Sequence, residues 1–200
     1  MSRATLLSRA DLIELLGLMA AEARQRDVHI EMFLVGGGAM ALAYNTARMT
    51  GDLDGVFEPK EVVYDIAAVV ALQSRFELAP DWLNDGVKGF LPGPDDEATV
   101  CYEEEGLSVR VGSPRYLFVL KAMASRESDV DDLRLLYRLS GFQSADQALD
   151  TVVAAYPGVK IKPAIQFTIE GIAGEVDSAV DSAVEGPVDV AVDVAVDRTM

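Results

Sequence analysis

The chain is expected to fold as an α+β protein, a small mixed sheet packed with helices and followed by a helical C-terminal part. Three observations predict this. A strand-like run over residues 29–35 ends in Gly36-Gly-Gly38, passes through a short apolar helix, and leads to a second strand carrying Asp52 and Asp54. Two more strand-like runs, residues 98–102 and 107–111, flank a Glu104-Glu105-Gly106 turn. From Ser113 onward the apolar spacing is helical and the starts are capped.

The first helix is announced by Ser8-Arg-Ala-Asp11, a capping-box spacing ahead of Leu12, Ile13, Leu15, Leu16, Leu18 and Met19. It is expected to run to about Gln25, with Arg24 and Arg26 at the end where cations suit the dipole. His29, the only histidine, reads as a turn or surface residue at the start of the first strand. Met40 to Tyr44 form the short buried helix after the glycines, and Leu53, Val56 and Phe57 flank the acids in the second strand, which Pro59 stops. Residues 61–76 show a helical face of Ile66, Ala67, Val70 and Ala71. Residues 79–90 are broken by Gly and Pro and read as loop. Trp82 lies there, a packing anchor in preference to a base-stacking platform.

Ser113-Pro114 places an N-cap and a first-turn proline ahead of a helix reaching Arg126. Asp129-Val-Asp131-Asp132 opens another, closed by Gly141, and Ser144-Ala-Asp-Gln147 caps a third. Residues 161–172 add a short element. The division expected is a core with its N-terminal helix over 1–112, a helical part over 113–173, and an acidic, low-complexity, disordered tail over 174–200 built of Ala-Val-Asp units.

Half of the residues are hydrophobic and the net charge is −16. Residues 170–200 hold eight acids against Arg198 alone, which leaves about −9 on the rest. A protein built for non-specific binding to nucleic-acid phosphates carries the opposite sign. Any such contact must come from a local basic patch or a metal. Cys101 is the only cysteine, which excludes an internal disulfide and a cysteine-rich zinc site and leaves it a small hydrophobe. No signal peptide and no bilayer-spanning run is evident, so a cytoplasmic location without membrane contact is expected.

The chemistry concentrates between Val35 and Asp54. On a strand, Asp52 and Asp54 would point to one face about 7 Å apart, and their mutual repulsion calls for cations. Mg²⁺ fits: it takes oxygen ligands and binds one or two carboxylates together with substrate phosphates. A strand turning directly into a helix offers N–H groups and a positive dipole end to a triphosphate, and Gly37 and Gly38 let phosphates approach the main chain. The run is neither Gly-x-Gly-x-x-Gly nor a P-loop, since no Gly-Lys-Ser/Thr follows. Thr50 can touch a metal-bound phosphate, be modified, or simply favour a strand.

This stretch resembles the nucleotidyltransferase superfamily of DNA polymerase beta and the aminoglycoside nucleotidyltransferases, with its hydrophobic-Gly-Gly/Ser turn followed by Asp-x-Asp. It is more closely similar to the AbiEii and MenT-like toxins of bacterial toxin–antitoxin systems. Their Gly-Gly-Thr/Ala, short helix and Arg-x-Ser/Thr-x-Asp-x-Asp fall on Gly37, Gly38, Ala39, Arg48, Thr50, Asp52 and Asp54. The later Lys and Arg-(x)-Asp-x-x-Asp-hydrophobic segment fall on Lys121, Arg126, Asp129, Asp132 and Leu133, so the resemblance covers residues 33–139. Many superfamily members carry a third carboxylate on a later strand. Here Arg110 stands in the candidate strand, leaving Asp129 or Asp132 as the third acid, or a site with two.

The resemblance implies the nucleotidyltransferase fold and Mg²⁺-dependent transfer of a nucleoside monophosphate from an NTP to an acceptor hydroxyl, releasing pyrophosphate. Asp52 and Asp54 would hold metal. Gly37, Gly38, Arg48, Thr50 and Lys121 would bind the nucleotide, and Asp129 and Asp132 would join Asp52, Asp54 and Lys121 in catalysis. A tRNA 3′ end is the implied acceptor and a cognate antitoxin the implied partner. Two alternatives stand beside it: nucleotide transfer to a protein hydroxyl, and a non-catalytic binding partner or antitoxin of the same fold.

Overall fold

The computed structural model describes residues 5–184, and its strands in chain order are β1 (Ile30–Val35), β2 (Leu53–Glu58), β3 (Leu83–Asn84), β4 (Thr99–Glu104) and β5 (Leu107–Val111). They form one mixed sheet in the order β3-β2-β1-β5-β4. The β1/β2 and β4/β5 pairs are antiparallel, and β1/β5 and β2/β3 are parallel. The expected α+β architecture, a small mixed sheet packed with helices, is what the chain forms.

Alternation along the strands decides what each face does. Ile30, Met32, Leu34, Leu53, Phe57, Leu107 and Val109 are buried on one side. Two helices belong to that core. In α1 (Arg9–Gln25) the stripe Leu12, Leu15, Leu16, Met19, Ala20 and Ala23 is buried, and the helix packs on α3 (Lys60–Gln73) and on β4 and β5. Its expected capping box is present: the Ser8 N–H donates to Asp11 Oδ2 (2.9 Å) and Ser8 Oγ accepts the Asp11 N–H (3.3 Å). Trp82 is buried and its Nε1–H donates to the Ala67 carbonyl (3.3 Å), so the packing reading of this residue holds. Cys101 is half-buried on edge strand β4, where desolvation pushes its thiol up to about 11.

Between β1 and β2 the chain forms α2 (Gly36–Ala39), which runs straight into a π-helical turn, Met40–Tyr44. The glycines are therefore the first residues of the helical stretch, not a turn ahead of a helix starting at Met40. Gly36 alone, at φ +65°, makes the reversal. Residues 79–90, expected as loop, contain β3 and a 3₁₀ turn, Gly86–Phe90.

The second half is helical: α4 (Pro114–Ala124), α5 (Val130–Leu139), α6 (Ala145–Ala155) and α7 (Pro163–Val184). The last of these was expected as a short element ending at Ile172, and it continues to Val184. Of the tail expected to be disordered, residues 185–200 lie outside the described residues. Helix α4 stops two residues early, at Ala124, because Ser125 is left-handed (φ 51°). It packs on α5, α6, α7 and α2, which sets the helical part against the glycine end of the sheet. Among the described residues, no helix is long and apolar enough to cross a membrane.

Gly55 pairs with Leu34 across β1 and β2, and a Cβ there would run into the Phe33 carbonyl and stand 2.9 Å from Leu34 Cδ2. Gly55→Ala is expected to cost about 1–3 kcal/mol in chemical denaturation through overpacking. An unchanged midpoint would contradict the close β1/β2 packing.

Candidate active site

A cavity of about 620 Å³ opens at the glycine end of β1. Gly36, Gly37, Arg48, Thr50, Asp52, Asp54, Lys121 and Asp129 all line it. Most of the residues singled out by sequence, far apart along the chain, therefore meet in one place.

The core supplies the acidic end. Asp54 is on β2, opposite Val35, and Asp52 is exposed just ahead of the strand. Thr50 is buried and fixed by a two-residue bridge to the segment before α1: Leu7 N–H donates to Thr50 O (2.7 Å) and Thr50 N–H to Leu7 O (3.1 Å). Its hydroxyl donates to Asp52 Oδ1 at 3.2 Å. The segment before α1, outside the residues the resemblance covers, thus braces the site.

The glycines fit against these side chains. A Cβ on Gly36 would stand 2.9 Å from Asp54 Oδ2, and one on Gly37 would stand 2.8 Å from Thr50 Oγ1. Gly38 is buried, its Cα facing the Leu53 side chain, and it does not line the cavity. The pair that faces the cavity is Gly36 and Gly37, one residue earlier than the motif alignment places it.

The helical part supplies cations. Lys121 on α4 is buried, its Nζ 2.6 Å from Asp129 Oδ1 and 2.9 Å from Asp132 Oδ2. Asp132 also meets Arg48 NH2 at 3.3 Å, so two cations and two carboxylates form a neutral group joining the 45–52 segment to α5. Asp132 is only 1% exposed and lies behind the cavity wall. Among the described residues no three His, Cys, Asp or Glu side chains gather to hold a metal. The observed partners of Asp129 and Asp132 are Lys121 and Arg48.

Arg110 lies on β5, as the sequence suggests, but away from the acid pair. β5 lies beside β1, not β2, and Arg110 pairs across from Phe33, its guanidinium donating to the Ala98 carbonyl (3.0 Å). The strands flanking β2 are β1 and, on the other side, β3. Its Asn84 lies opposite Asp54 and donates to Asp54 Oδ1 at 3.0 Å. Sequence reasoning missed Asn84, Gly36, Phe90, Tyr156, Lys160 and Lys162, the last five of which line the cavity. Only Gly36 carried a signal, as the first glycine of the run.

The Asp54 carboxyl is held above its ordinary 3.8, first by burial and second by the negative charge of Asp52. Asn84, Arg126 and Lys121 act in the opposite direction. Two carboxylates and a hydroxyl form an all-oxygen donor set, and a repelled acid pair gains from a cation, so the residues suit a hard divalent ion such as Mg²⁺. Comparison with protein-family profiles, curated proteins and solved structures returns no match, so the site is read from its own residues.

Because its carboxyl is raised, Asp54 favours the metal-free fold while protonated, and that contribution is lost as pH rises through its folded value. Metal-free Asp54→Asn is therefore expected to melt above the wild type at pH 7, with the gap closing as pH falls toward 4. A wild type that melts higher at pH 7 in EDTA would contradict this. Lys121→Met strips a buried cation from two buried acids and is expected to cost about 3–5 kcal/mol in urea denaturation. A loss below about 1 kcal/mol would show that the group is not buried as described.

Proposed function

We propose that the protein is a magnesium-dependent nucleotidyltransferase, moving a nucleoside monophosphate from an NTP to an acceptor hydroxyl with release of pyrophosphate. The observation that carries this reading is the cavity's polarity: an acid pair against a glycine turn at one end, with Arg48, Lys121, Arg126, Lys160 and Lys162 around it, in a protein of net charge −16. That combination serves a polyphosphate and its metal.

Asp52 and Asp54 would hold Mg²⁺, which when bound polarises a phosphoryl oxygen and lowers the pKa of a bound hydroxyl. Gly36 and Gly37 leave room for phosphate against the main chain. Lys121 and Arg126 place positive charge near the phosphates, and burial fixes the orientation of Lys121 before substrate arrives. The acceptor oxygen forms a bond to the α-phosphorus, the α–β bridging P–O bond breaks, and pyrophosphate takes the electron pair. The hydroxyl proton leaves through exposed Asp52 to water.

The similarity to MenT and AbiEii-like toxins makes a tRNA 3′ end the first acceptor to examine, a toxin–antitoxin system the setting, and an antitoxin the first partner. Overall acidity favours a second reading, transfer to a protein hydroxyl, which needs no basic channel.

Incubating the protein with labelled NTPs and either total tRNA or candidate proteins separates the two. Label is expected on tRNA, and Asp52→Ala is expected to reduce transfer by more than about a hundredfold, because several kcal/mol of charge stabilisation depends on the metal. If neither acceptor is labelled, and Asp52→Ala arrests growth as the wild type does, the enzyme reading falls.

A further inference from the structure

Strand β3 is two residues long, yet it sets Asn84 directly across from Asp54 in parallel register. The Asn84 Nδ2 donates to Asp54 Oδ1 at 3.0 Å, while its Oδ1 accepts the Gly86 N–H at 3.1 Å. These contacts use opposite ends of the amide, so the Gly86 N–H fixes which end faces the acid.

The flanks of Asn84 are anchored independently of Asp54. On one side, buried Trp82 accepts the Leu53 N–H at its carbonyl (2.6 Å) and donates from its indole to Ala67. On the other, Asp85 accepts from the Tyr64 hydroxyl (2.7 Å) and pairs with Lys60 (2.6 Å). Asn84 is thus a donor held in place before any ligand arrives. It occupies Asp54 Oδ1 and leaves Oδ2 on the Gly36 side of the cavity.

Charge decides the consequence. A carboxylate at position 84 would make a third acid beside the pair and attract free cations. The amide orients Asp54 and adds no charge. Arg126 and Lys121 also act on Asp54, and their positive fields oppose a bare divalent ion. A triphosphate brings negative charge and further oxygen ligands that offset both effects.

We propose that Asn84 is a positioning residue for Asp54, and that this amide makes the acid pair take its divalent cation together with nucleotide phosphates and not alone. The inference rests on the metal-dependent reading given above. Groups that orient a metal ligand typically cost ten- to a hundredfold in metal affinity when removed.

Equilibrium dialysis of Mn²⁺ against the full chain, with and without the four ribonucleoside triphosphates, tests it. The wild type is expected to retain Mn²⁺ at least about tenfold more tightly with nucleotides present. Asn84→Ala is expected to lose about ten- to a hundredfold of that affinity while keeping its melting temperature within a few degrees. Asn84→Asp, nearly isosteric, is expected to gain about tenfold for Mn²⁺ without nucleotide, and it decides the matter if the alanine variant fails to fold. The inference alone is overturned if Asn84→Ala retains Mn²⁺ and nucleotide within twofold of wild type while Asp54→Ala loses them. Equal wild-type retention with and without nucleotide overturns it too. A wild type that retains no Mn²⁺ under either condition overturns the metal-dependent reading with it.

Discussion

Asp52 and Asp54 repel each other at one end of a cavity, and much of the surrounding structure accommodates that repulsion. The glycines and the acids are one constraint, because the strand carrying Asp54 lies so close to the turn after β1. A Cβ at position 36 would press on Asp54 Oδ2, and one at position 37 on Thr50 Oγ1. Gly36 must in addition adopt a positive φ to send the chain from strand into helix. The result is a pair of acids with space and backbone beside them where side chains would ordinarily pack. Such a place suits a ligand with oxygens and charge.

The helical part answers with cations, and the acids it carries hold those cations still. Lys121 sits between Asp129 and Asp132, and Asp132 reaches Arg48 as well. Four charges in a neutral buried group seldom add net stability over an apolar equivalent, but removing one member leaves another uncompensated. The group therefore fixes geometry. It ties the connection preceding β2 to α5, and so keeps the two sides of the cavity in register. Asp132 is thereby held behind the cavity wall, while Asp129 both lines the cavity and holds Lys121.

Local pattern made much of this legible. Apolar periodicity and caps placed α1, α3, α4, α5 and α6, and the Arg48-x-Thr50-x-Asp52-x-Asp54 spacing led to a real cluster. What escaped depended on neighbours distant in sequence. Nothing near Arg110 says that β5 joins the sheet beside β1, which removes it from the acids. Leu83–Asn84 is too short to show a period, so the Asn84 amide that touches Asp54 was hidden in a loop. Lys160 and Lys162 follow α6 in a connection whose spacing carries no signal, and only packing of α4 on α6 and α7 brings them to the cavity. The shift from Gly38 to Gly36 has a smaller cause: the helical stretch begins one residue after the strand ends, with no turn between.

Bulk acidity and a cationic cavity are compatible once distance is considered. At physiological ionic strength the Debye length is about 8 Å, so exposed acids elsewhere on the surface contribute little inside the cleft. Lys121 and Arg48 are already paired with Asp129 and Asp132, so Arg126, Lys160 and Lys162 are the lining cations that offset Asp52 and Asp54. The acidic exterior still matters, because it disfavours non-specific contact along a nucleic-acid backbone. Under the proposed transferase reading, a nucleic-acid acceptor would therefore have to be engaged by its end, with Arg126, Lys160 and Lys162 in the cavity wall available to its phosphates. An acceptor without phosphates would forgo those contacts. Under the proposed transferase reading, the charge distribution that argues against generic nucleic-acid binding favours an acceptor that enters the cleft end-on.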